Sequence, residues 1–410
     1  MKTEKIFFRC VSILLMVCLL LSGCGAAENT AVVARISEET VQTTVPTETL
    51  PATETTAAAV PEEPKQEISV AIYPYIPNVE LFEELLLQSW KELEPDVVLK
   101  LEQWDCYSGP SDCDVLMYDT IALSYLAENG YVQPIEREEI ADADGILPFA
   151  MEGITYEGKY YGAPYFVCGD FLIYDREDAQ LDAVENFPEL LSVVTERRKQ
   201  DKNTGVLMNF EVDYPYHYLE ASVDCAGEYS SFEEMPDCFH PNQEALKRLR
   251  ELGSVVAVLP EEAAGEEKGD LFEAGYGIAF YGVSEKMSYM EDILDQLNIK
   301  TISLAEGENI PLYYTDITSV STHVTDPEKI ALCKKLMNMV ASREFLEKMC
   351  FENGEAQYLL PARQDVYLSA AEEYPMYGKL HELVMNDRNR VFRFGVDFYQ
   401  YLENAEKAFS

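Results

Sequence analysis

Between residues 68 and 130 the apolar pattern repeatedly changes period, and this alternation constrains the fold more than any other feature. Ile68–Tyr73 is a mostly apolar run of strand length, followed by a stiff Pro74-Tyr75-Ile76-Pro77 loop. Asn78 can then cap a helix from Val79 to about Leu93. There Leu81, Phe82, Leu85, Leu86 and Trp90 recur at helical spacing, and Pro95 closes the segment. Val97–Glu102 and Asp114–Tyr118 return to strand character, and a further helix runs from near Thr120 to Gly130. Strands that alternate with helices predict an α/β layer around a largely parallel sheet, because parallel strands need crossover connections. In such sheets ligands collect beyond the carboxyl ends of the strands. Tyr73 and Asp119 stand at two of those ends, although singly each also reads as a packing tyrosine and a helix-start acid.

Residues 67–410 are too many for one ordinary domain and comfortable for two. Gly153–Tyr165 reads as hairpin-like and leads into Phe166–Tyr174; this stretch resembles the crossover of extracellular solute-binding proteins, which implies that the chain passes there from the first domain to the second. The segment 175–270 is rich in helix patterns. Gly275–Ser284 reads as a strand ending in a turn, with Ser284-Glu285 opening a helix. Another strand is expected after Ile310–Asp316, and Asp326-Pro327-Glu328 starts the C-terminal helices. The expected first domain is 67–168 plus about 275–325, and the second about 169–274 plus 326–410.

The N-terminus is a different polymer. Lys2, Lys5 and Arg9 precede the apolar run Val11–Leu21, which is too short to span a bilayer and has the form of a secretory signal. It ends in Leu21-Ser22-Gly23-Cys24, which resembles the bacterial lipobox. That likeness implies a signal peptide over 1–23 and a lipid on Cys24, which would hold the protein at the outer face of the cytoplasmic membrane. Residues 25–66 contain nine Thr, four Pro and no aromatic residue. A segment of that composition cannot bury enough surface to offset its ordering entropy, so 24–66 is expected to be a disordered tether of about 35 Å reach.

Charge and cysteine usage narrow the function. With 31 Lys+Arg against 74 Asp+Glu the formal charge is −43, so a phosphate backbone would be repelled and no nucleic-acid partner is expected. Four histidines make a His-rich metal site unexpected, and no metal or organic cofactor is called for. Ten cysteines fall to seven in the body once the signal and Cys24 are set aside. An odd number leaves one thiol free if Cys106–Cys113, Cys225–Cys238 and Cys333–Cys350 pair, and that thiol is Cys168. In a reducing setting all seven stay reduced.

Familiar catalytic motifs are missing. No glycine-rich loop ends in Gly-Lys-Ser/Thr, and no two cysteines have the two-residue spacing of a zinc or redox pair. Gly282-Val283-Ser284-Glu285-Lys286 lacks the second glycine of a nucleophile elbow.

Several stretches carry a resemblance instead: Ala71–Pro77, Asp114–Asp119, Ile310–Asp316, Gln357-Tyr358-Leu359-Leu360-Pro361-Ala362-Arg363 and Asn389-Arg390-Val391-Phe392-Arg393. Together they resemble thiaminase I, an enzyme built on the two-domain periplasmic-binding-protein-like (type II) α/β fold with an interdomain cleft. The likeness covers nearly the whole body. It implies cleavage of thiamine by replacing the thiazole with another nucleophile, an amine or a thiol, through a cysteine adduct on the pyrimidine.

By the same resemblance Cys168 is the nucleophile and Glu285 its base. Tyr73 and Tyr314 are candidate ring contacts, with Tyr75 a weaker one, and Asp119 and Asp316 are candidate partners of the pyrimidine nitrogens. The residue types suit the task. A thiol needs a base near neutrality, acids attract a thiazolium cation, and tyrosine faces supply stacking and cation–π attraction. Two departures stand out: Val283 replaces a family tyrosine, and Glu261–Gly269 holds no tyrosine. The alternative is a lipid-anchored solute-binding protein that hands thiamine or a related pyrimidine to an ABC permease. A sugar- or peptide-binding lipoprotein would rest on fold analogy alone. Cys168 with Glu285 separates enzyme from binder, since capture needs neither thiol nor base. Nothing in the sequence speaks for oligomerisation, so a monomer is expected.

Overall fold

The structure is a computed structural model that describes residues 66–208, 214–227, 229, 235–263, 265–352 and 354–409. The signal sequence, Cys24 and the tether up to residue 65 lie outside the described residues. Along the chain the strands are β1 (Gln66–Ile72), β2 (Val97–Gln103), β3 (Val115–Asp119), β4 (Thr155–Tyr156), β5 (Lys159–Tyr160), β6 (Ala163–Cys168) and β7 (Phe171–Asp175). They continue as β8 (Val206–Leu207), β9 (Ala279–Gly282), β10 (Leu297–Lys300), β11 (Leu312–Val320), β12 (Phe351–Glu352), β13 (Glu355–Ala356), β14 (Leu360–Pro361) and β15 (Arg390–Val391). The helices used below are α1 (Val79–Leu93), α2 (Tyr214–Ala226), α3 (Gln243–Val255), α4 (Pro327–Val340), α5 (Arg343–Cys350) and α6 (Phe398–Phe409).

Two sheets carry the architecture. The larger has the order β14-β6-β11-β3-β1-β2, with β15 alongside β11; the smaller has the order β10-β7-β9-β8. β1 lies parallel to both β2 and β3, as the alternating pattern predicts. The sheet is nevertheless mixed rather than largely parallel, because β11 enters antiparallel between β3 and β6. Its strand pattern begins inside the Ile310–Asp316 stretch, at Leu312, and not after it.

Helix α1 forms as its spacing predicts. The Asn78 side chain accepts from the Leu81 amide, and Phe82, Leu86 and Trp90 turn their apolar stripe inward. The Phe82 ring meets Phe345 of α5 edge-on at 5.4 Å, and α4 and α5 both pack on α1. These C-terminal helices, expected with the second domain, therefore cover the larger sheet. Likewise β9 and β10, expected with the first domain, pair on either side of β7 in the smaller sheet. Local patterning marks such strands but carries no record of which distant partner they join.

Phe166–Tyr174 is not one strand. It breaks at Gly169-Asp170, so that β6 lies in the larger sheet and β7 in the smaller. A side chain at 169 would meet the Tyr313 ring at 2.9 Å, so only glycine lets the chain cross there. Residues 301–311 return from β10 to β11, giving a second crossing. At Gly162 a Cβ would come within 2.2 Å of the Thr318 carbonyl oxygen, which keeps β6 close against β11. Among the described residues no helix is long and apolar enough to cross a membrane. All seven described cysteines are free thiols.

Candidate active site

The two crossings bring strand ends from the larger sheet against the first turn after β9, and the site is assembled there. Asp119 ends β3 and is only 4% exposed; one carboxylate oxygen accepts from the Ile121 amide at 2.9 Å and so starts the following helical turn. Directly across the ladder on β11 stands Asp316. Opposite residues of an antiparallel pair share a face, so the two carboxyl groups look the same way. On the other side of β11, Tyr314 is the register partner of Cys168 at the end of β6. Cys168 and Asp119 thus flank β11, with Tyr314 and Asp316 between them.

Glu285 arrives from the smaller sheet. It lies in the short helix Ser284–Tyr289, whose buried Ser284 donates its hydroxyl to the Tyr358 carbonyl at 2.8 Å. That bond ties the turn to the segment leading into β14. Lys286, next in sequence, turns to Glu267 at 3.1 Å.

The charges act on one another. Burial pushes the Cys168 thiol well above its ordinary range; Glu285 is the largest charge acting in the same direction, followed by Asp170, Asp316 and Asp119. Burial also raises Glu285, with Lys286 opposing the rise. Asp119 is pushed up to about 7 by burial, and Asp316 is held well above the carboxylate range by burial, Asp119 and Glu285. Burial and the neighbouring acids thus favour the uncharged forms of the Cys168 thiol and of Asp316. A cation brought among these acids would favour their charged forms.

Aromatic rings accompany these groups. Tyr73 follows β1, and its hydroxyl lies 3.3 Å from that of Tyr107. Its ring meets Tyr75 at 5.3 Å, and Tyr75 itself is 39% exposed. Tyr314 packs against Phe392 at 5.0 Å and meets Tyr216 of α2 at 6.0 Å. Each sequence-derived site residue (Cys168, Glu285, Tyr73, Asp119, Tyr314, Asp316) thus sits at this junction of the two sheets. Asp170, Tyr107 and Tyr216 also belong to it and were not singled out by the sequence. Asp170 had a signal, two residues past Cys168 at the domain crossing. Tyr107 follows β2 in a short turn and Tyr216 opens a helix, positions where no periodicity marks a function.

Two sheets joined by crossing segments, with acids and a cysteine gathered at the strand ends, define a two-domain protein of the periplasmic-binding-protein-like class. Maltose-bound MalE3 of T. maritima superposes with a TM-score of 0.60 at 15% identity, over 83% of this chain and 92% of that one. Closer relatives share sequence as well. Thiaminase-1 of Paenibacillus thiaminolyticus is 34% identical over 356 residues, covering 83% of this chain and 86% of that protein. Clostridium botulinum thiaminase I, solved in complex with thiamin, matches with a TM-score of 0.76 at 29% identity, over 83% of this chain and 98% of that one. The Thiaminase-1 domain matches residues 169–305. The chain belongs to the thiaminase I family.

Proposed function

We propose that this protein cleaves thiamine by exchanging its thiazole for an amine or thiol, with Cys168 as nucleophile and Glu285 as the base. The observation that supports it most is that Glu285 is the charge acting most strongly on the Cys168 thiol at the end of β6. Glu285 takes the thiol proton, and the Cys168 sulfur bonds to the aminopyrimidine ring. The bond from the bridging methylene to the thiazolium nitrogen then breaks. Its electron pair stays on that nitrogen, and neutral thiazole leaves. The acceptor adds to the methylene and gives its proton to a carboxylate, and the carbon–sulfur bond to Cys168 breaks to restore the ring. Asp119 and Asp316 supply hydrogen-bond partners for the pyrimidine nitrogens, while Tyr73 and Tyr314 supply ring faces. Tyr107 beside Tyr73 and Tyr216 beside Tyr314 add further aromatic surface.

Incubating the protein with thiamine and an amine or thiol acceptor should release free thiazole. Chromatography should show that release absent from Cys168→Ser. Tight thiamine binding with no release, equal in both proteins, would instead make this a binding protein that serves a permease.

The N-terminal sequence motivates a second part of the proposal: removal of residues 1–23, a lipid on Cys24, and residence at the outer face of the cytoplasmic membrane. Cells fed labelled palmitate should label the wild-type protein and not Cys24→Ala. Label retained in that variant would contradict the anchor.

A further inference from the structure

Glu285 and Cys168 belong to different sheets, so their approach depends on how the two sheets are held together. The two covalent crossings run to β7 and β10, neighbouring strands at one side of the smaller sheet. Glu285 instead follows β9, which lies on the other flank of β7. Between β6 and β7 the backbone passes through Gly169-Asp170, which belong to neither strand. Hinges between domains are short segments of this kind. Rotation there would move the end of β9 relative to Cys168 unless a further contact stopped it.

The Ser284 hydroxyl makes such a contact. Ser284 is 1% exposed and begins the helical turn that carries Glu285, and its hydroxyl donates to the Tyr358 carbonyl oxygen at 2.8 Å. Two residues beyond Tyr358, Leu360 pairs with Val167, the neighbour of Cys168. One side-chain hydrogen bond and one short ladder thus connect Glu285 to Cys168 by a route independent of both crossings. Within the turn, Ser288 donates its hydroxyl to the Glu285 carbonyl at 2.7 Å, and Met287 is fully buried. A shift of Ser284 would therefore carry Glu285 with it.

The acceptor is held as firmly as the donor. Tyr358 has φ 52°, in the left-handed region that tyrosine seldom adopts. Such conformations persist where the surroundings over-determine them, and they gather at functional sites. Here the buried Tyr358 ring stacks on Tyr377 at 5.6 Å, and the preceding Gln357 amide donates to the Cys350 carbonyl at 2.8 Å. β14 then begins at Leu360. The carbonyl is presented from a fixed point beside the larger sheet.

We infer that Ser284 is the positioning residue that sets the Glu285 carboxyl group against the Cys168 thiol, with the Tyr358 carbonyl as its stop across the two sheets. The inference rests on the reaction proposed above. It adds a serine that takes no proton and forms no bond to substrate, yet governs how closely base and nucleophile meet.

Ser284→Ala in the full chain removes the donor. Single-turnover thiazole release should fall by up to ~10²-fold, the cost of misplacing a reacting group by about 1 Å, while equilibrium thiamine binding changes little. Ser284→Thr restores a hydroxyl and should recover most of the lost rate. A second readout needs no thiamine: the pH dependence of iodoacetamide alkylation at Cys168, followed on its peptide by mass spectrometry. Glu285 is the largest charge raising this thiol, so Glu285→Gln should move the alkylation profile to lower pH. Ser284→Ala should move it the same way. The double variant should match Glu285→Gln alone, because both changes act through one carboxyl group. Ser284→Cys, of similar shape with a weaker donor, carries the same comparisons if Ser284→Ala does not fold. An unmoved profile in Glu285→Gln or Ser284→Ala, shifts that add in the double variant, or a loss confined to the unfolding midpoint would overturn the inference. Profiles that move as stated in a protein that releases no thiazole would keep Ser284 as the positioning residue and reject the proposed reaction. Release that depends on Cys168 beside unmoved profiles would do the reverse.

Discussion

Glu285→Gln is expected to slow thiazole release by about 10²–10⁴-fold, the range that a positioned general base contributes, while thiamine binding changes little. Gln has the same shape and keeps a carbonyl oxygen in the first turn after β9, but it cannot take a proton. The carboxyl group is suited to the task because burial raises its affinity for a proton above that of an ordinary glutamate, and Lys286 moderates the rise. Lys286 is also engaged by Glu267, so its charge is shared with a second carboxylate. Single-turnover thiazole release beside equilibrium thiamine binding separates the two effects. A Gln variant that releases thiazole within tenfold of wild type would remove Glu285 from the role of base.

Asp119→Asn should stabilise the fold at alkaline pH while weakening the capture of a cationic substrate. The sign follows from proton linkage. In the folded protein Asp119 is raised to about 7, whereas unfolded it titrates near the ordinary 3.8. Between those values the folded state holds a proton that the unfolded state has released, so wild-type stability falls as pH rises through that window. The full interval corresponds to roughly 4 kcal/mol, an upper figure because Asp316 shares the proton affinity of the pair. Asn keeps an oxygen to accept from the Ile121 amide, so the helical start survives. Urea unfolding near pH 4 should find the two proteins nearly equal, and at pH 8 the variant should be the more stable. A variant less stable at pH 8 would show that the carboxylate is stabilised in the fold rather than penalised. The same substitution should raise KM for thiamine more than it lowers kcat.

The features that sequence reading captured are those encoded locally. Asn78 and Pro95 bracket the one helix that carries the Phe82-Leu86-Trp90 stripe, and its ends follow from them. The β1–β2–β3 alternation is similarly a matter of neighbours in sequence. Pairings across long separations were not legible: β9 and β10 look like strands wherever they belong, and only the assembled structure puts them beside β7. The proposed site divides in the same manner. Asp119 is marked by the end of its strand, and Cys168 and Glu285 were reached through resemblance. The facing of Asp119 and Asp316 depends on register, which no short motif contains. Asp170, Tyr107 and Tyr216 lie on separate stretches of chain, so their convergence is a property of the fold.

The position of β11 also sets an order of events during biosynthesis. β3 and β6 are complete by residue 168, yet the strand that belongs between them begins only at Leu312. Until the ribosome has passed residue 320, the larger sheet has two bare inner edges and its carboxylate row lacks Asp316. Unpaired edges of that kind recruit other strands. The nascent chain is consequently most exposed to aggregation and to chaperones while its middle third is being made. A fragment that stops short of β11 should behave as an open sheet rather than as a smaller version of the protein.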